Sequence, residues 1–264
     1  MDPDDVSDLE LASRAADAAR DAILPYFRKS GLAAANKLSD GFDPVTAADR
    51  AGEVAMRNIL SRYRPDDGIL GEEFEPVEGT SGRTWVLDPI DGTRGFISGT
   101  PTWGVLIALS GPDGPVLGVI DQPYIGERFV GAGNTARLDG PMGRSELKTR
   151  DTANLSEATV FTTFPEVGTA QEQAGFQAVS RHAKLTRYGM DCYGYALVAA
   201  GQVDLVIEAG LNPYDIQAPI AVVEAAGGIV TDWDGGPAHN GGRAVAAANR
   251  DVHSQALEIL RNFT

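Results

Sequence analysis

The sequence predicts a mixed α/β protein: residues 1–150 form an α+β front half, residues 151–264 an α/β back half, and the two pack as one body. Three observations predict it. Helical periodicity dominates the chain up to Tyr63, short β-rich runs bounded by Gly, Pro and Asp follow, and strands alternate with helices after about Arg150. No repeat, low-complexity tract or long linker separates the halves.

The first helix is announced by Ser7-Asp8-Leu9-Glu10, a capping-box pattern, and Leu9, Ala12, Ala16, Ala19 and Ile23 recur at helical spacing before Pro25 bends or ends it. A second helix is predicted from about Thr46 to Tyr63, burying Val54, Ile59 and Leu60. Both would cover one face of a sheet. Predicted front-half strands are Gly68–Gly71, Thr84–Asp88, Thr102–Ser110, Pro115–Gln122 and Glu127–Gly131, with Gly111-Pro112-Asp113-Gly114 as a hairpin turn. In the back half, strands are predicted at Asp204–Glu208, Ile229–Asp232 and Ala244–Ala248, with helices near Tyr193–Ala200, Pro213–Ala226 and Val252–Asn262.

Composition narrows the function. Of 264 residues, 37 are acidic and 22 basic, giving a net charge of −15 that disfavours nucleic acid or anionic membrane as a partner. The acidic start Met1-Asp2-Pro3-Asp4-Asp5 lacks a secretory pattern, and the single cysteine, Cys192, permits no intrachain disulfide, so a cytoplasmic location is expected.

The most informative segment is Trp85-Val86-Leu87-Asp88-Pro89-Ile90-Asp91-Gly92-Thr93. A buried strand would end at Asp88, and Asp91-Gly92-Thr93 would turn and open a helix. Two carboxylates three residues apart, with the Ile90 carbonyl between them, suit hard divalent cations. Asp-Pro and Asp-Gly alone are ordinary turn formers; the composite is not. Glu72 in Gly71-Glu72-Glu73, Asp49 near its helix start and Asp215 in Asn212-Pro213-Tyr214-Asp215 are further candidates, each also readable as a solvated turn, a dipole partner or a first-turn acid. Clustered acids repel unless cations neutralise them. With three histidines (His182, His239, His253) lacking ligand spacing, zinc is disfavoured and magnesium favoured.

These motifs, with Val45-Thr46-Ala47-Ala48-Asp49 and Glu224-Ala225-Ala226-Gly227-Gly228, resemble the inositol monophosphatase superfamily of metal-dependent, lithium-sensitive phosphatases along nearly the whole chain. The resemblance implies a layered αβαβα sandwich, a homodimer, and two or three Mg²⁺ ions held by Glu72, Asp88, the Ile90 carbonyl, Asp91 and Asp215. It implies that Thr93 with Asp49 orients the attacking water, and it makes Asp49, Glu72 and Thr93 the catalytic set. Phosphate would lie against Asp91, Gly92, Thr93, Arg94 and Asp215, with the Gly92 and Thr93 amides facing its oxygens.

Three segments look like the histidinol-phosphate phosphatase branch, which serves histidine biosynthesis: Arg94-Gly95-Phe96-Ile97-Ser98-Gly99, Tyr188-Gly189-Met190-Asp191-Cys192-Tyr193, and Glu208 to Asp215. The expected reaction is Mg²⁺-dependent hydrolysis of L-histidinol phosphate. Asp191 and Glu208 are the expected readers of its ammonium and imidazole. Asp191 also reads as a helix cap, and Glu208 as the hydroxyl-binding acid of inositol phosphatases. Arg94 reads equally as a carboxylate or phosphate contact and as a surface arginine. The alternatives are an inositol-1-phosphatase or broad polyol phosphatase, a phosphoadenosine phosphatase, and a binding or regulatory protein on the same fold.

Overall fold

The computed structural model describes residues 6–29, 34–36 and 44–263, so the acidic run Met1–Asp5 lies outside the described residues. Helix α1 spans Asp8–Ile23, strands β1 and β2 are Ala34–Asn36 and Pro44–Thr46, and α2 spans Ala47–Tyr63. A seven-stranded sheet follows in simple order: β3 (Gly68–Gly71), β4 (Thr84–Asp91), β5 (Gly104–Gly111), β6 (Gly114–Gln122), β7 (Glu127–Ala132), β8 (Thr135–Gly140) and β9 (Gly143–Glu146). Only β3 and β4 pair in parallel. The short helix α3, Thr93–Ser98, leaves the end of β4.

The back half holds β10 (Thr159–Thr162), α4 (Ala170–Ser180), β11 (Leu185–Tyr188), α5 (Tyr193–Ala199), β12 (Leu205–Leu211), α6 (Pro213–Ala225), β13 (Ile229–Thr231), β14 (Gly242–Ala247) and α7 (Arg250–Leu260). Its five strands run in the order β11-β10-β12-β14-β13, parallel across the first three and antiparallel thereafter.

Strand alternation assembles these elements into five layers, the αβαβα sandwich. Trp85 and Leu87 of β4 pack with Leu11, Ile23, Met56 and Leu60 beneath α1 and α2. Val86, Leu106 and Ile120 point the other way, onto Tyr195 and Val198 of α5 and Ile216 and Val222 of α6. The same middle layer receives Val206 and Ala246 from the second sheet. Leu205, Ile207 and Val245 face outward against Phe176 of α4 and Val252 of α7. Among the described residues no helix is long and apolar enough to cross a membrane.

Several expectations are corrected. Strand β4 does not stop at Asp88: its register with β5 shifts between Asp88 and Asp91, and this irregularity accommodates Pro89, which lacks an N–H. Val54 is 43% exposed, because the buried face of α2 runs through Ala48, Asp49, Gly52, Glu53, Met56 and Leu60. Ser7 caps α1, but the Glu10 carboxylate pairs with Arg14 instead of closing the box. The last helix starts at Arg250, where Asn249 accepts from Asp251 and Val252, and ends in a 3₁₀ turn after Leu260.

Candidate active site

Alternation carries the site as it carries the core. Asp88 lies two residues beyond Val86 on β4, and Glu208 two beyond Val206 on β12, so each carboxylate follows an apolar residue of the middle layer. Both are the last residues before a register shift in their strands, and both line a cavity of about 350 Å³.

Asp88, Asp91 and Asp215 each bring one carboxylate oxygen within 4.8 Å of the others. Each is anchored by a backbone amide. Asp88 Oδ1 accepts from Ile90 at 3.0 Å, Asp91 Oδ2 from Cys192 at 2.6 Å, and Asp215 Oδ2 from Asn212 at 2.6 Å. Asp215 is therefore both a helix-start acid and a member of the cluster. Such an all-oxygen set could hold a hard divalent cation.

Glu72, Ile90, Gly92, Thr93, Arg94, Asp191 and Glu208 line the same cavity. Asp49 does not, but it is buried and its charge reaches Asp88. The Thr93 hydroxyl donates to the Ile90 carbonyl at 3.2 Å. Gly92 has φ 87°, and a Cβ there would stand 2.6 Å from Asp191 Cγ, so both conformation and close approach require glycine.

Asp191 is not the side-chain cap of α5: Cys192 holds the cap position, and Asp191 Oδ2 accepts from Thr102 Oγ1 at 2.8 Å. Glu208 Oε1 accepts from the Thr163 amide and hydroxyl at 2.6 and 2.8 Å, and its Oε2 from Thr162 at 3.2 Å. Arg94 places its guanidinium carbon 5.3 Å from the centre of the Phe164 ring at the cavity rim, and its charge favours ionised Asp191.

The electrostatics are those of crowded acids. Burial, then the charges of Glu72, Asp91, Asp215 and Asp49, holds the Asp88 carboxyl well above its ordinary range. Burial, then Asp215 and Asp191, does the same to Asp91 against the pull of the Cys192 hydrogen bonds. Burial raises Asp191, opposed by Thr102 and Arg94, and raises Glu208 to about 7, opposed by Thr163 and Thr162. A cation would relieve the whole set.

Thr102, Thr162, Thr163, Phe164, Tyr195 and the Cys192 amide were not singled out from the sequence. The hydrogen bonds of this group bridge 45 to 101 residues, which no local spacing reveals.

A layered sandwich with an acid-lined cavity between its sheets is the architecture of a metal-assisted phosphoester hydrolase. The family model described as "Inositol monophosphatase family" matches residues 4–263. The chain belongs to the inositol monophosphatase family and is a hydrolase of phosphate monoesters. It is 41% identical to the chloroplastic bifunctional phosphatase IMPL2 of Arabidopsis thaliana, over 98% of this chain and 78% of that one. It is 37% identical to the histidinol-phosphatase of Streptomyces coelicolor over 98% of both chains. The solved inositol monophosphatase of Zymomonas mobilis superposes with a TM-score of 0.84 at 40% identity, covering 96% of this chain and 97% of that one.

Proposed function

We propose that this phosphatase hydrolyses L-histidinol phosphate to L-histidinol and inorganic phosphate, with Mg²⁺ as cofactor. The observation that carries the substrate is a pair of acids, Asp191 and Glu208, lining the cavity that the Asp88, Asp91 and Asp215 carboxylates enter. An anionic wall beside the phosphate end suits an alcohol bearing an ammonium and an imidazole better than a neutral polyol. The likeness to a histidinol-phosphatase over nearly the full chain supports the same substrate.

Glu72, Asp88, the Ile90 carbonyl, Asp91 and Asp215 are the residues proposed to hold two or three Mg²⁺ ions; these would lower the pKa of water and offset phosphoryl charge. Thr93 and Asp49 orient the attacking water. Gly92, Thr93 and Arg94 line the cavity; in this reading they face the phosphate and, with Asp91 and Asp215, orient the ester for in-line attack. A cytoplasmic homodimer acting on a small phosphorylated metabolite completes the reading.

The test compares kcat/KM for L-histidinol phosphate and myo-inositol 1-phosphate with Mg²⁺. A preference of about 100-fold for the former, roughly 2.7 kcal/mol, is expected. The reverse preference would sink the substrate assignment and leave the metal site standing. Inositol phosphate is the second reading, favoured by the likeness to the Zymomonas mobilis enzyme.

A further inference from the structure

We propose that the buried pair Glu53–Arg57 on α2 is a positioning device for Glu72, and that cation affinity depends on it although neither residue lines the cavity. The inference rests on the reading of that cavity as a divalent-cation site.

Glu72 lies between two fixed neighbours, and Glu53 fixes both. On one side, Glu53 Oε2 accepts from the Glu73 amide at 2.7 Å. On the other, the Glu53 carboxylate packs directly on Gly71, where a Cβ would fall 2.0 Å from Oε1. Gly71 is absent from the positive-φ glycines, so its identity follows from this close approach and not from backbone conformation. Arg57 completes the hold: Nε donates to Glu53 Oε1 at 2.8 Å, and Nη2 donates to the Phe74 carbonyl at 3.1 Å. Contacts from α2 thus flank Glu72: close packing on Gly71 before it, and hydrogen bonds to the Glu73 amide and the Phe74 carbonyl after it.

The need for such a grip follows from charge. Glu72 lines the same cavity as the Asp88, Asp91 and Asp215 carboxylates, so like charge would push an unrestrained Glu72 away from them whenever no cation is present. The side chain of Glu53 is itself fully buried, and Arg57 cancels its charge, so the brace adds no net negative charge beside the cluster. A buried ion pair is a weak stability device compared with apolar packing, whereas its fixed geometry suits placing a loop. Outer contacts of this kind govern how well a metal ligand is aimed.

The test measures Mn²⁺ binding to the full-length protein by electron paramagnetic resonance, with Mg²⁺-dependent kinetics alongside. The variants are Glu53→Gln, Arg57→Lys and, as a control for loss of a remote buried pair, Arg150→Lys, whose partner Asp204 is fully buried. Glu53→Gln and Arg57→Lys are expected to weaken Mn²⁺ binding about tenfold or more, while KM for the phosphoester at saturating Mg²⁺ stays within about twofold. Arg150→Lys is expected to bind Mn²⁺ as the wild type does. Wild-type affinity in both folded variants, or an equal loss in Arg150→Lys, would overturn the proposal. If Glu53→Gln fails to fold by circular dichroism, Arg57→Lys, which keeps the charge and loses only the fork, decides alone. A wild-type protein that binds no Mn²⁺ would overturn the cation site itself, and the brace with it.

Discussion

At the scale of single residues, the same carboxylates should carry activity and cost stability. Asp88 is buried among Glu72, Asp91, Asp215 and Asp49, and every one of these charges disfavours its ionised form. Asp88→Asn is therefore expected to lower kcat by roughly three orders of magnitude while raising the melting temperature of the metal-free protein. A folded variant with near-normal turnover would remove the central assignment. Asp191 accepts from Thr102 and faces the cavity. Asp191→Ala should raise KM for histidinol phosphate about tenfold or more, as loss of a charged hydrogen bond does, and leave KM for p-nitrophenyl phosphate nearly unchanged. Glu208 gives a signed pH effect. Its carboxyl is raised from 4.5 to about 7 by burial, so between those values the folded protein holds a proton that the unfolded chain has released. That contribution is fully present below pH 4.5 and is lost as pH rises through about 7, a swing of roughly 3 kcal/mol. Glu208→Gln should flatten the stability profile across this window, measured by urea unfolding at several pH values. An unchanged slope would show that Glu208 is not the group responsible.

At the scale of elements, the turn from β4 into α3 is the joint on which the site depends. Gly92 caps α3 with φ 87°, and Gly92 and Gly95 both abut the Asp191 carboxylate. Gly92→Ala imposes a left-handed alanine and drives a methyl into Asp191. It is expected to destabilise the fold by about 1–3 kcal/mol and to lower kcat/KM more for histidinol phosphate than for p-nitrophenyl phosphate. Equal losses on both substrates would separate the turn from recognition. This joint also marks how much was legible in the sequence. Asp88 and Asp91 were legible because they stand three positions apart around Pro89 and Ile90, and Asp215 because Pro213 flags a helix start. The turn itself was legible, yet the partner it meets, Asp191, lies about a hundred residues away and left no local trace beside it. Helix α2 shows the opposite failure. Apolar periodicity pointed to Val54 as buried, whereas the inward face carries Asp49 and Glu53, charged residues that a hydrophobic pattern cannot see. Strand β4 outran its predicted end because a register irregularity absorbs Pro89, a tertiary accommodation that chain-local rules exclude.

At the scale of the whole molecule, the two halves share both a core and a site. Helices α5 and α6 lie between the sheets, and one apolar cluster includes Leu106 and Phe129 from the first sheet together with Val206 and Ala246 from the second. The site is divided in the same way: Asp88 and Asp91 come from the front half, while Asp215, Asp191, Glu208 and the Cys192 amide come from the back. Without cations this arrangement sets like charges against one another across the junction; divalent cations held there would offset that repulsion. We propose on this ground that residues 1–150 and 151–264 unfold as one cooperative body. Calorimetry should give a single transition in chelator that moves upward as Mg²⁺ is added, by about 2.7 kcal/mol of stabilisation at a hundredfold excess over the dissociation constant. Asp91→Asn should abolish most of that Mg²⁺ response while leaving the transition single, because it removes a carboxylate of the proposed cation site and leaves the shared core intact. Two transitions, with only one of them shifting on Mg²⁺ addition, would mean that the halves fold independently and that the cation is held by one half alone.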